Sequence, residues 1–130
     1  MQTKSTMTRQ SKYCTAIEQA IAGLGHATNA DLLKVLQVAF PNVSATTVHR
    51  ATARLRDRGV IGIAPADLDG SVRYDANPAP HDHFMCSSCG LLRDAHVKEQ
   101  VSKVLEEHIG DCQISGQLTI SGICKSCIRG

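Results

Sequence analysis

The stretch from His81 to Asp94, HDHFMCSSCGLLRD, interleaves two kinds of metal donor. Cys86 and Cys89 are soft thiols, while His81, Asp82, His83 and Asp94 around them are borderline or hard. A second thiol pair, Cys124 and Cys127, repeats the CxxC spacing near the C-terminus. That spacing turns two sulfurs toward one point, and Gly90 after the first pair permits the positive φ that such a knuckle needs. The 34 residues between the pairs can fold back, so the four thiolates predict a tetrahedral all-sulfur site, the closed arrangement of a structural Zn²⁺. Disulfides or a redox CxxC are the competing uses. The opening residues MQTKSTMTRQSK lack the apolar core of an export signal, which predicts a cytoplasmic protein and thiolates on a metal.

The rest of the chain has to position these donors. It has 130 residues, room for one ordinary domain or two small ones. Two units of about 60 residues would each be marginal without a metal, a disulfide or a partner subunit. Aromatic residues make up only 3% and Trp is absent, so aromatic anchors cannot make up the shortfall. At 42% hydrophobic and 20% charged, the composition is globular and not disordered. No apolar run approaches the roughly 20 residues of a membrane span. The net charge of +2 is too small to imply a nucleic-acid partner, but its distribution is uneven. Between Ser44 and Gly59, Arg50, Arg54, Arg56 and Arg58 face a single acid, Asp57.

Residues 1–10 read as a loose polar segment. From Ser11, Tyr13, Ile17, Ala20, Ile21 and Leu24 recur at helical steps until Gly23 and Gly25 end the helix, with Cys14 as a small half-buried residue on it. His26 follows in a short turn. A second helix starts at Thr28 or Asn29 and stops at Pro41. Ser44 caps a third, ATTVHRATARLRDRG, which ends at Gly59. Val60, Ile61 and Ile63, the Asp69-Gly70 turn and residues 71–74 predict a two-stranded hairpin. Three helices and a hairpin make a winged helix-turn-helix, whose third helix enters a DNA major groove. Thr46, Thr47, His49 and Arg50 are then the candidates for base contact, with Arg54 and the wing residue Arg73 on phosphates. The plain alternative is a three-helix bundle with a basic face.

Asn77 to Pro80, NPAP, is a hinge between a DNA-binding domain at 1–76 and a second domain at 81–130. In the second domain the pattern predicts a strand at His83–Met85, another at Leu91–Arg93, a helix from Val97 to Ile109 and a strand from Cys112 to Ser121. The expected class is α+β: a winged helix-turn-helix followed by a small α/β dimerisation domain with a four-cysteine zinc site. The last strand would be an exposed edge, which predicts a homodimer.

With HxHxxCxxCG, the terminal CKSC and the earlier FPNVSATTVHR, the chain from about Ser11 resembles the Fur family, the ferric uptake regulators, and most closely its peroxide-sensing PerR branch. The resemblance implies a homodimeric, metal-activated repressor that binds a palindromic operator. It also implies a regulatory site for Fe²⁺ or Mn²⁺ formed by His26, Asp75, His81, His83 and Asp94. On that set, three imidazoles and two carboxylates leave one position open for peroxide. Oxidation of His26 or His81 would then release the metal, and the cysteines would stay inert on zinc. No other small-molecule substrate and no membrane is implied. The alternatives are an iron, manganese or zinc uptake regulator, a metalloenzyme or redox protein, and a zinc-bearing adaptor.

The sequence departs from the family pattern at several points. A further family site would use positions that hold Pro80, Val101 and Gly116 here, so that site is expected to be absent, and Asp82 is expected to be a solvated acid. His49 stands where the family usually has Tyr. His96 and His108 are expected to be surface or structural, and Cys112 is a thiol without a role.

Overall fold

A computed structural model describes the backbone of residues 9–130 and the side chains from Lys12 onward. Of the loose segment expected at residues 1–10, residues 1–8 lie outside the described residues, and Arg9 and Gln10 are already helical. Within them the first helix begins at Arg9, two residues before the expected start. The chain divides into two compact units, one ending at Pro78 and the other beginning at Ala79.

The first unit is a winged helix. Its elements are α1 (Arg9–Leu24), β1 (His26–Thr28), α2 (Asn29–Ala39), α3 (Ala45–Asp57), β2 (Gly62–Ala64) and β3 (Arg73–Asp75). Tyr13, Ile17 and Ile21 recur every four residues, so α1 presents one apolar stripe. Leu32 and Leu36 of α2 meet it, as do Val48, Ala51 and Leu55 of α3. Each end is fixed locally. Thr28 caps α2 in a reciprocal box: Asp31 N–H donates to Thr28 Oγ1 (3.1 Å) and Thr28 N–H to Asp31 Oδ2 (3.0 Å). Ser44 Oγ accepts from Thr47 N–H at 3.2 Å to open α3. Gly59, with φ +74, closes it: its N–H reaches Arg56 O and that of Val60 reaches Leu55 O, a Schellman arrangement.

Two expectations change here. His26 is not in a turn; it opens β1, and the expected two-stranded hairpin is a three-stranded sheet ordered β1-β3-β2. Three residues carry too little periodicity to announce a strand, and β1 exists through its antiparallel pairing with β3. The Asp69-Gly70 turn is present: Gly70 has φ +86 and its N–H donates to Asp67 O. The Ser71 amide and hydroxyl hydrogen-bond Asp69 and hold its carboxyl below the usual range.

The second unit contains β4 (Asp82–Cys86), β5 (Leu92–Ala95), α4 (Lys98–Ile109), β6 (Thr119–Gly122) and the short α5 (Lys125–Arg129). Its sheet is ordered β5-β4-β6, antiparallel between β4 and β5 and parallel between β4 and β6. The strand expected from Cys112 to Ser121 shortens to β6. Gly110 (φ +85) and Asp111 (φ +49) turn the chain sharply, and only its last residues reach β4. From Arg93 to Gly130 no residue is buried. Among the described residues, no helix is long and apolar enough to cross a membrane.

Candidate metal centres

The four CxxC sulfurs converge. Cys86 Sγ and Cys127 Sγ are 3.8 Å apart, as are Cys89 Sγ and Cys124 Sγ, and all four lie within 4.8 Å of one another. A tetrahedron of about 2.3 Å zinc–sulfur bonds has edges of about 3.8 Å, so this set fits Zn²⁺. It does not fit disulfides, whose sulfurs are bonded at about 2 Å; none of the six cysteines is in a disulfide. The knuckle after β4 places Cys86 and Cys89, and the start of α5 places Cys124 and Cys127. The N–H groups of Cys124 and Cys89 each reach Cys86 Sγ at 3.4 Å and bring its thiol down to about 6. Cys127 goes the other way. Its bond with Ser88 lowers the value, but the sulfurs of Cys124, Cys89 and Cys86 outweigh it and push the thiol up to about 12. A cation among the four sulfurs removes that conflict by stabilising every thiolate.

The His and Asp donors form one group in each unit. In the first, the β1–β3 register sets His26 opposite Asp75, and Nε2 lies 3.5 Å from Asp75 Oδ2. Asp75 is 2% exposed, and Asn77 N–H donates to its Oδ1 at 2.9 Å. In the second unit, the β4–β5 register sets His83 opposite Asp94. His81 Nε2 is 2.9 Å from Asp94 Oδ1 and His83 Nε2 is 3.4 Å from it. His81 Nδ1–H donates to Ala79 O at 2.7 Å, which fixes the tautomer and leaves Nε2 available as a ligand. These nitrogen and oxygen donors suit Fe²⁺ or Mn²⁺ more than a thiophilic ion. Neither Cys14, buried with its thiol toward Ala51 O, nor the exposed Cys112 takes part.

Asp82 corrects the reading as a solvated acid. It is 4% exposed and accepts three backbone hydrogen bonds, from Val97, Lys98 and Leu118. The Leu118 N–H contributes most to holding its carboxyl below the usual range, ahead of Lys98 and Val97 and against the opposing effect of burial. The signal was invisible locally because the donors come from residues 15, 16 and 36 positions away.

Thr46, His49, Arg50 and Arg54 are exposed on α3, and Thr47 is half-buried with its hydroxyl on Ser44 Oγ. Asn29 of α2, read from sequence only as a possible cap, reaches this face: its Nδ2 donates to His49 Nδ1 at 3.3 Å, while its Oδ1 accepts from Thr52. Arg73 is a second correction. The guanidinium is not turned outward to phosphate. It is buried and donates from Nε to Pro65 O and from Nη2 to Ala66 O, both at 3.0 Å. Its charge is spent on holding the wing's own carbonyls.

Comparison with known proteins agrees with these features. The family model described as the ferric uptake regulator family matches residues 1–117. A peroxide-responsive repressor, PerR, of Staphylococcus saprophyticus is 31% identical over 110 residues, covering 82% of this chain and 73% of that protein. The peroxide operon regulator of Bacillus subtilis is 30% identical over 116 residues, covering 87% and 79%. Among solved structures, a ferric uptake regulator from Francisella tularensis with iron shares the fold with a TM-score of 0.69 at 18% identity, covering 98% of both chains. With the family match reaching from the first unit well into the second, the chain belongs to the ferric uptake regulator family and is a metal-responsive regulator of transcription, not an enzyme.

Proposed function

We propose that this chain is a homodimeric repressor that releases its operator when peroxide oxidises a regulatory metal site. The reading rests on the two donor groups, His26 with Asp75 in the first unit and His81, His83 and Asp94 in the second. A single Fe²⁺ or Mn²⁺ shared by all five would need both units at once, so occupancy would fix the DNA-binding half relative to the dimer half. The structural Zn²⁺ stays with Cys86, Cys89, Cys124 and Cys127.

Fe²⁺ held by His26, Asp75, His81, His83 and Asp94 would supply the one-electron chemistry that activates peroxide, and in net terms the two electrons peroxide takes come from the imidazole. His26 and His81 are the rings that take up oxygen. In net terms peroxide gives one oxygen atom to an imidazole C–H carbon and leaves as water. The modified ring is a poorer donor, so the site loses its ion and the operator is freed. On DNA, Thr46, Thr47, His49 and Arg50 face base edges, and Arg54 meets phosphate. The protein would act in the cytoplasm, and the percentage identities to peroxide-responsive repressors support this branch of the family.

The test is operator binding by the zinc-loaded protein with Fe²⁺ or Mn²⁺, before and after peroxide. We expect the iron form to lose binding and to gain about 16 Da on a peptide containing His26 or His81, while the manganese form keeps both. Undiminished binding by the iron form, with neither histidine modified, would sink the peroxide reading and leave a regulator that reports metal supply alone.

A further inference from the structure

Among the described residues, Asp82 is the one buried carboxylate of the second unit, and the function proposed above does not use it. It lies between two proposed ligands, His81 and His83. Neighbouring side chains of an extended segment point to opposite faces. The two histidines turn to Asp94, and Asp82 turns away, toward α4 and the chain entering β6.

We propose that Asp82 is a positioning residue for the regulatory metal centre, tying the strand that carries His81 and His83 to α4 and β6 so that the three are set together. This rests on the regulatory site proposed above. Asp82 Oδ2 accepts from Val97 N–H at 3.1 Å and Lys98 N–H at 2.9 Å, and Oδ1 accepts from Leu118 N–H at 3.0 Å. The next residue grips Leu118 by its other backbone group: His83 N–H donates to Leu118 O at 3.0 Å. A ligand residue and its neighbour therefore hold one residue by both of its backbone polar groups.

Among the described residues, the start of α4 has no side-chain cap of its own. Val97, at its N-cap, has no side-chain oxygen to offer, and no residue of the helix is buried. Asp82 supplies the missing cap from a different strand. Only a carboxylate can accept at both of its atoms. Asparagine at this position would turn an NH₂ group toward a peptide N–H on one side or the other. The strand could then slide or tilt, and His81 and His83 would move with it. Metal occupancy, by holding those histidines, would in turn favour one placement of α4, whose Val104, Leu105 and Ile109 are exposed.

Three proteins test this: wild type, D82N and E106Q. Glu106 also holds a peptide of the second unit, accepting from Ile114 N–H at 2.7 Å, but it touches no ligand strand. Mn²⁺ serves as a redox-silent probe, with zinc content, thermal unfolding and self-association measured alongside. We expect D82N to keep one zinc per chain and to bind Mn²⁺ about tenfold more weakly or worse, and we expect Mn²⁺ to tighten self-association of wild type but not of D82N. E106Q should lose stability and leave Mn²⁺ affinity and that coupling intact. If D82N fails to fold with zinc, Asp82→Ser, which retains one acceptor oxygen, is read the same way. Wild-type Mn²⁺ affinity and coupling in D82N would overturn the inference, as would E106Q reproducing the loss at equal loss of stability. Failure of wild type to bind Mn²⁺ outside the zinc site is a different result and overturns the regulatory site itself.

Discussion

The two units are held together by different physics. The first has a continuous core in which Ile17, Leu32, Val48 and Ala51 are each 0% exposed, drawn from all three of its long helices. The second has five strand and knuckle side chains, His81, Asp82, His83, Cys86 and Leu92, as its buried set, and only Leu92 is a plain hydrocarbon. Burying one Leu or Ile contributes about 1.5–3 kcal/mol, so the first unit gathers its stability from many such terms. The second cannot, and a structural zinc at about 10–16 kcal/mol of apparent binding free energy can replace them. The division suits a metal sensor. The helical half gathers its stability from packed side chains, and the half that carries most of the proposed ligands has a small core that a bound ion can supplement.

The sharpest way to break this contrast is to remove zinc. Chelation, or Cys124→Ser, is expected to unfold the second unit and leave the first one helical and cooperative, seen by amide protection assigned to each unit. Loss of protection in α1 and α3 together with β4 would show one folding unit and end the comparison. A smaller effect comes from side-chain truncation. Leu32→Ala in the core should destabilise the first unit by about 2–5 kcal/mol. Val104→Ala on α4, where Val104 is 53% exposed, should cost the isolated chain under about 0.5 kcal/mol and show itself in weaker self-association. Denaturant unfolding at two protein concentrations separates the two effects.

The same contrast explains what could be read from sequence. The helices of the first unit were legible because periodicity, caps and stops are local: Thr28, Ser44 and Gly59 all work within four residues. The cysteine pairs were legible because their chemistry is carried by spacing. Features made by distant partners were not. β1 exists through β3, more than 40 residues on. Asp82 is dry because three peptides from elsewhere surround it, and Arg73 is inward because the wing folds its carbonyls back over β3. Residues 112–121 alternate in polarity like a strand, yet the strand that forms is Thr119–Gly122. Residue type suggested charge in solvent at positions 73 and 82, and tertiary contact overrode it.

Asp69 gives the smallest test, because it resembles Asp82 in chemistry and differs in setting. Both carboxylates accept from peptide N–H groups and both are held below the usual range, Asp69 by the backbone and then the side chain of Ser71. A carboxyl lowered by folding contributes stability that is fully present above its unfolded value of about 3.9 and is lost as pH falls through the folded value. The acid window is therefore the same for both, below about pH 4. Its consequences differ, because the Asp69 turn is exposed and water can replace what it loses. Carbon-detected titration should place the Asp69 midpoint below 3.8 and raise it in Ser71→Ala, which keeps the amide and removes the hydroxyl. D69N should leave thermal unfolding of both units unchanged, where D82N lowers that of the second. A D69N protein destabilised as much as D82N would show that solvent exposure does not separate the two carboxylates, and that the wing is held as tightly as the strand of His81 and His83.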